Sequence, residues 1–169
     1  MQTMSHTRSH SRRKVRATDW RPAILAALAV GVVLAIGGFF PPGPWFESLA
    51  KPTWQPPAWV FAPVWSLLYA MIAISLGLVL ASPRGADRRR ALWAMGAQLL
   101  LNAAWTPLFF GLHSPLLAFI DIVALWLVTV VSIACVARIS GPGAWLLVPP
   151  LLWVSFALIL NGVIMVLNG

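Results

Sequence analysis

Three apolar stretches of the chain carry polar and aromatic side chains at helical spacing. Gln98, Asn102 and Trp105 stand at i, i+4 and i+7, with Thr106 beside them. Trp65 and Tyr69 are four apart, next to Ser66, and Trp153, Ala157 and Asn161 repeat the four-residue step. Each set falls on one face of a helix. An amide in hydrocarbon must find a partner, so these faces are expected to turn inward. There they either bond helix to helix or line a cavity. Trp65 and Trp153, one to two turns inside their segments, favour the cavity. Asp121 is the only acid within an apolar segment. Insertion scales put a charge at the centre of a membrane helix at a cost of about 2.5–3.5 kcal/mol, so Asp121 is read as a packing or a functional group that is protonated, paired or hydrogen-bonded.

These residues suit binding, and no catalytic residues are assigned. The chain has no H-E-x-x-H, no Walker lysine loop, no G-x-S-x-G and no two acids close enough in sequence to share a proton. No metal site is expected. Cys135 is the single cysteine, in an apolar run without a close histidine, and reads as a packing residue. His6 and His10, four apart, lie in a basic, serine-rich stretch read as a mobile tail.

Composition sets what must position the binding residues. The chain has 169 residues, of which 60% are hydrophobic and 9% charged. A soluble domain has roughly 25% charged residues, and a disordered chain lacks this apolar content. Five apolar segments, 22–40, 59–81, 91–111, 115–137 and 143–167, each reach the ~20 residues that cross a bilayer core. They predict an all-α integral membrane bundle of five transmembrane helices within residues 22–168. Pro83 with Gly85, Gly111 with Pro115, and Gly141-Pro142-Gly143 mark the breaks. Pro63, Pro107, Pro149 and Pro150 predict kinks that open space between helices. In the first segment Ala23, Ala27, Gly31 and Ala35 form a small-residue ridge, read as tight packing within the bundle ahead of a dimer contact.

The charge is arranged by side. Residues 1–21 form a basic tail with Arg8, Arg12, Arg13, Lys14, Arg16 and Arg21, from which no packed core can form. Five crossings place the tail, the 82–90 loop and the 138–142 turn on one face with eleven basic residues, against Lys51 alone on the other. The positive-inside rule then puts the N-terminus in the cytoplasm and favours a bacterial cytoplasmic membrane. An outer or organelle membrane is the alternative, since the tail's composition also fits a transit peptide. The net charge of +8 therefore reads as topology, with the lipid bilayer and not nucleic acid as partner.

The one long connection, 41–58, holds prolines, Trp45, Trp54 and a central Lys51. Prolines lower the entropy lost on ordering and tryptophans supply contact area, so the loop is expected to fold over the helix ends as a lid; an aromatic belt is the alternative. Of the ten tryptophans, Trp20, Trp93 and Trp145 read as interface anchors, and Trp45, Trp54, Trp65 and Trp153 as a loop-and-pocket set.

The run Trp45-Phe46-x-x-Leu49-x-Lys51-Pro52-x-Trp54-x-Pro56-Pro57, continued by Val60-Phe61-x-x-Val64-Trp65-x-x-Leu68-Tyr69, closely resembles the tryptophan-rich sensory protein / translocator protein family, TspO/MBR. Gln98-Leu99-x-Leu101-Asn102-x-x-Trp105-x-Pro107-x-Phe109-Phe110-Gly111, Asp121, and Pro149-x-x-x-Trp153-x-x-Phe156-Ala157 with Leu160-Asn161 extend the resemblance over about residues 22–168. It implies a five-helix bundle, often a homodimer, that binds porphyrins, haem-type tetrapyrroles, sterols and synthetic drugs under the first loop. Carried over by position, the ligand-binding residues would be Trp45, Trp54, Trp65, Gln98, Asn102, Trp153 and Ala157, with Lys51, Tyr69, Asp121 and Asn161 as polar residues of structural or functional use. No cofactor is required; a porphyrin or haem is a ligand. Where the family commonly has Trp-Tyr and Pro-Tyr, this chain has Trp45-Phe46 and Pro149-Pro150, which removes two hydroxyls. No segment like the cholesterol-recognition sequence proposed for mammalian members follows the last helix, so a tetrapyrrole is expected ahead of a sterol. The role implied is sensing, regulation or transport of tetrapyrroles. Light-dependent porphyrin degradation and a regulatory scaffold using the Arg-rich tail are the alternatives.

Overall fold

The computed structural model describes residues 19–169. The readings placed on residues 1–18, including His6, His10 and most of the basic tail, lie outside the described residues. Among the described residues seven helices follow in chain order: α1 (Arg21–Gly38), α2 (Pro44–Ser48), α3 (Ala58–Ala81), α4 (Ala86–Thr106), α5 (Pro115–Ala137), α6 (Gly141–Trp145) and α7 (Val148–Asn168). A five-residue π turn, Pro107–Gly111, extends α4.

The five expected crossings are present. Arg21–Gly38, Ala58–Ala81, Pro115–Ala137 and Gly141–Asn168 are long and apolar enough to span a membrane. α4 opens on Asp87, Arg88, Arg89 and Arg90, and its apolar part reaches spanning length from Ala91 only because the π turn carries it to Gly111. Local chemistry sets the ends. Proline stands in the first turn of α1, α2, α5, α6 and α7, where the missing N–H is an orphan anyway. Ser114 Oγ accepts from Leu117 N at 3.3 Å, and Ser140 Oγ from Gly143 N at 3.1 Å, capping α5 and α6.

Three sequence expectations need correction. The segment 143–167 is not one helix, since α6 and α7 are separated at Leu146–Leu147. Pro149 and Pro150 do not kink α7, because they occupy its first turn. The ridge Ala23, Ala27, Gly31 and Ala35 is exposed; α1 packs instead through Ala26, Val30 and Val33. An all-apolar helix leaves its inward face unmarked by composition, and here the start of α1 lies close to Gly77 of α3, whose added Cβ would stand 3.9 Å from Ala26 Cβ and from Ala23 Cα.

α1 lies against α3 and α4, α4 against α5, and α5 against α6 and α7. The core has two main parts. At the end bearing Arg84–Arg90 and Arg138, Ile72, Val79, Ala91, Met95, Val136 and Leu147 pack together. At the opposite end, Phe109, Ala118, Leu160 and Ile164 pack under the first loop. Buried hydroxyls are satisfied internally, as they must be where no water is available: Ser75 Oγ donates to Gly143 O at 2.9 Å and Thr129 Oγ1 to Leu125 O at 2.7 Å.

Candidate functional site

The first loop folds onto the helix ends, as the proline and tryptophan content predicts. It contains one helical turn, α2, that the composition did not reveal. Asn168, at the end of α7, holds the loop by a paired clasp: Ala50 N donates to its Oδ1 at 2.8 Å, and its Nδ2 donates to Ala50 O at 2.9 Å. Lys51 does not enter the bundle. Its ammonium donates to Glu47 O and Leu49 O at 3.0 and 3.2 Å and lies 4.7 Å from the centre of the Phe46 ring, closing the turn from inside.

Beneath the loop, α3 presents Phe61, Trp65 and Tyr69 at successive four-residue steps, one continuous aromatic strip. At its loop end Phe61 meets the Trp153 ring of α7, 5.9 Å between centroids, and Trp153 tilts against Phe156 at 5.3 Å. Trp54 reaches down from the loop to Phe156 at 5.9 Å. At its deeper end Trp65 lies 5.1 Å from Tyr69, and Tyr69 Oη donates to Asn102 Oδ1 of α4 at 2.7 Å. One turn before Asn102 stands Gln98, which is buried. The strip thus joins α7 and the loop at one end to α4 at the other.

Two polar atoms of the anticipated site residues are left over. Trp153 Nε1, a donor, and Gln98 Oε1, an acceptor, are buried with no hydrogen-bond partner among the described residues. A buried polar atom without a partner costs about 1–3 kcal/mol, so such atoms are rare and call for a role. Asp121 Oδ2 is also buried without a partner, on the α5 face shared by Ala118, Ile122 and Leu125. The indole N–H groups of the two tryptophans that pack against Ile122 and Leu125 are used elsewhere: Trp105 Nε1 donates to Asn161 Oδ1 at 3.1 Å, and Trp126 Nε1 to Ser155 Oγ at 2.8 Å.

Not every anticipated residue joins this wall. Trp45 makes its ring contacts with His113, stacked at 4.5 Å, and with Phe109 at 5.6 Å. Ala157 packs with Leu101, Trp105 and Trp126 against α5. Asn161 is structural: besides accepting from Trp105 it donates to Pro115 O at 2.9 Å, fixing α7 to the start of α5. Phe46, in place of the family's tyrosine, packs on Phe110 at 5.3 Å and Phe109 at 6.1 Å, and Pro150 is buried in the first turn of α7.

Sequence reasoning left Phe61 and Phe156 out of the site, although both sit one step from an assigned tryptophan. Phe109, Phe110 and His113 had no periodic signal. The π turn shifts the phase of the helix by about one residue, and His113, at φ 51°, turns back over Trp45.

The sequence matches the model of the TspO/MBR family over residues 23–167. It is 41% identical over 149 residues to the tryptophan-rich protein TspO of Chlorobaculum tepidum, covering 84% of this chain and 94% of that one. Identity to the tryptophan-rich sensory protein of Cereibacter sphaeroides is 31% over 150 residues, 89% of this chain and 93% of the relative. The human translocator protein is 33% identical over 151 residues, 86% of this chain and 89% of its own length.

Proposed function

Because the chain belongs to the TspO/MBR family, we propose that it binds a tetrapyrrole, a porphyrin or haem, on the aromatic wall beneath its first loop. Through that binding it would serve the sensory, regulatory or transport role that the names of its relatives carry. The observation behind this reading is the pair of unpartnered buried atoms, Trp153 Nε1 and Gln98 Oε1. A tetrapyrrole with two propionic side chains supplies a match for each: an ionised carboxylate accepts from an indole N–H, and a protonated carboxyl O–H donates to an amide oxygen. Its flat macrocycle suits the faces of Phe61, Trp65 and Trp153. A sterol brings a single hydroxyl to two separate atoms and suits the wall less. The homodimer implied by the family, and a cytoplasmic placing of the basic end in a bacterial cytoplasmic membrane, belong to the same proposal.

Titrating protoporphyrin IX into the purified protein while following tryptophan fluorescence tests it. Saturable quenching at micromolar porphyrin is expected. Unquenched fluorescence in that range contradicts the reading.

A further inference from the structure

The far end of the bundle carries a second feature that the ligand wall does not use. The turn between α3 and α4 and one face of the first three turns of α4 form an open groove of about 500 Å³ lined by Arg84, Gly85, Arg88, Arg89, Leu92, Trp93 and Gly96. Its rim is strongly basic. The only acid nearby, Asp87, is taken by Arg90 at 3.2 Å, which leaves Arg84, Arg88 and Arg89 without a carboxylate among the described residues. Arg88 is held in place by one bond, from Nη2 to Leu80 O at 3.0 Å, while its Nε is buried and unpartnered. With Nη2 held by Leu80 O and Nε shielded, Nη1 is the nitrogen of this fixed guanidinium left to receive an anionic oxygen. The Gly85 N-cap adds no side-chain bond to the first N–H groups of α4, and these point to the same rim.

Below the rim the groove becomes apolar. Leu92 and Trp93 follow on the next turn, and an added Cβ at Gly96 would meet nothing within 4 Å. Trp93 is 76% exposed, and an exposed indole one turn from arginines sets this level at the headgroup layer. Charge above and an apolar channel below match an amphiphile lying along the helix. We propose that the groove binds one anionic glycerophospholipid from the surrounding leaflet, its phosphate on Arg84, Arg88 and Arg89 and its upper acyl chain along Leu92, Trp93 and Gly96. A general polybasic attraction would draw many lipids to the surface; a built groove retains one.

Native mass spectrometry of the full chain, released from micelles doped with phosphatidylglycerol or phosphatidylcholine, tests this. One phosphatidylglycerol per chain is expected, held about tenfold more tightly than phosphatidylcholine. Arg84→Gln with Arg89→Gln removes two charges yet spares the Arg88 bond to Leu80. Gly96→Leu keeps every charge and fills the channel. Each should lower retention to the phosphatidylcholine level, whereas Arg138→Gln, outside the groove, should leave it unchanged. Equal retention of both lipids by the wild type, or unchanged retention in either groove variant, overturns the proposal. Displacement of the lipid by inorganic phosphate at matching concentration also overturns it, by making the ligand a soluble anion.

Discussion

The two ends of the bundle use tryptophan differently: among the described residues the arginine-bearing end shows only exposed indoles, whereas the loop end sets packed ones beside exposed Trp54 and Trp59, at 47% and 74%. At the arginine-bearing end, Trp20, Trp93 and Trp145 are 67%, 76% and 74% exposed. Under the first loop, Trp45, Trp65, Trp105 and Trp153 are half-buried in ring contacts. An indole at a bilayer interface needs only an apolar body on one side and a polar tip on the other, whereas a packed indole must place its N–H. Trp105 and Trp126 have done so; Trp153 has not. The difference separates tryptophans exposed on the surface from those packed in ring contacts, one of which keeps an unpartnered N–H.

The contrast can be broken most severely at Asn161. Asn161→Ala removes the acceptor of Trp105 and the donor to Pro115 O, and should destabilise the detergent-solubilised protein by about 2 kcal/mol in equilibrium unfolding. No exposed tryptophan should matter as much. Next comes Trp153→Phe, which keeps an aromatic ring and deletes the unpartnered N–H. It should weaken porphyrin binding about tenfold and leave the unfolding midpoint unchanged or slightly raised. A smaller effect is expected at the clasp. Asn168→Ala should leave the fold intact and speed hydrogen exchange of the loop amides around Ala50, by the loss of about 1 kcal/mol of local stability. Smallest is the outer set: Trp20→Phe, Trp93→Phe and Trp145→Phe should each shift stability by less than about 0.5 kcal/mol.

Much of this division was legible in the sequence. Five apolar runs with marked breaks give five crossings, and the placing of arginine distinguishes the ends. The four-residue steps of Trp65 with Tyr69 and Gln98 with Asn102 identify faces that do meet, through the bond from Tyr69 to Asn102. Other features were hidden for definite reasons. A helix apolar on all sides conceals which face it buries, so α1 turned out to pack on Ala26, Val30 and Val33. A π turn has no composition signature, which hid Phe109 and Phe110. Family motifs place Trp45 and Ala157 with the other anticipated site residues, but motif order does not fix side-chain partners: Trp45 stacks on His113 within the cluster that also holds Phe61 and Phe156, and Ala157 packs towards α5. The unpartnered state of Gln98 Oε1 and Trp153 Nε1 is a property of three-dimensional neighbours, beyond any reading of spacing.

The proposal that the inner tryptophans, and not the outer ones, hold a tetrapyrrole rests on this contrast. Its most direct test is titration of protoporphyrin IX, followed by porphyrin absorbance, against two variants of the full chain. One carries Trp65→Phe and Trp153→Phe; the other carries Trp20→Phe, Trp93→Phe and Trp145→Phe. A dissociation constant raised about tenfold or more is expected in the first and an unchanged one in the second. Equal affinities in both variants and the wild type, or a loss confined to the outer set, would contradict it.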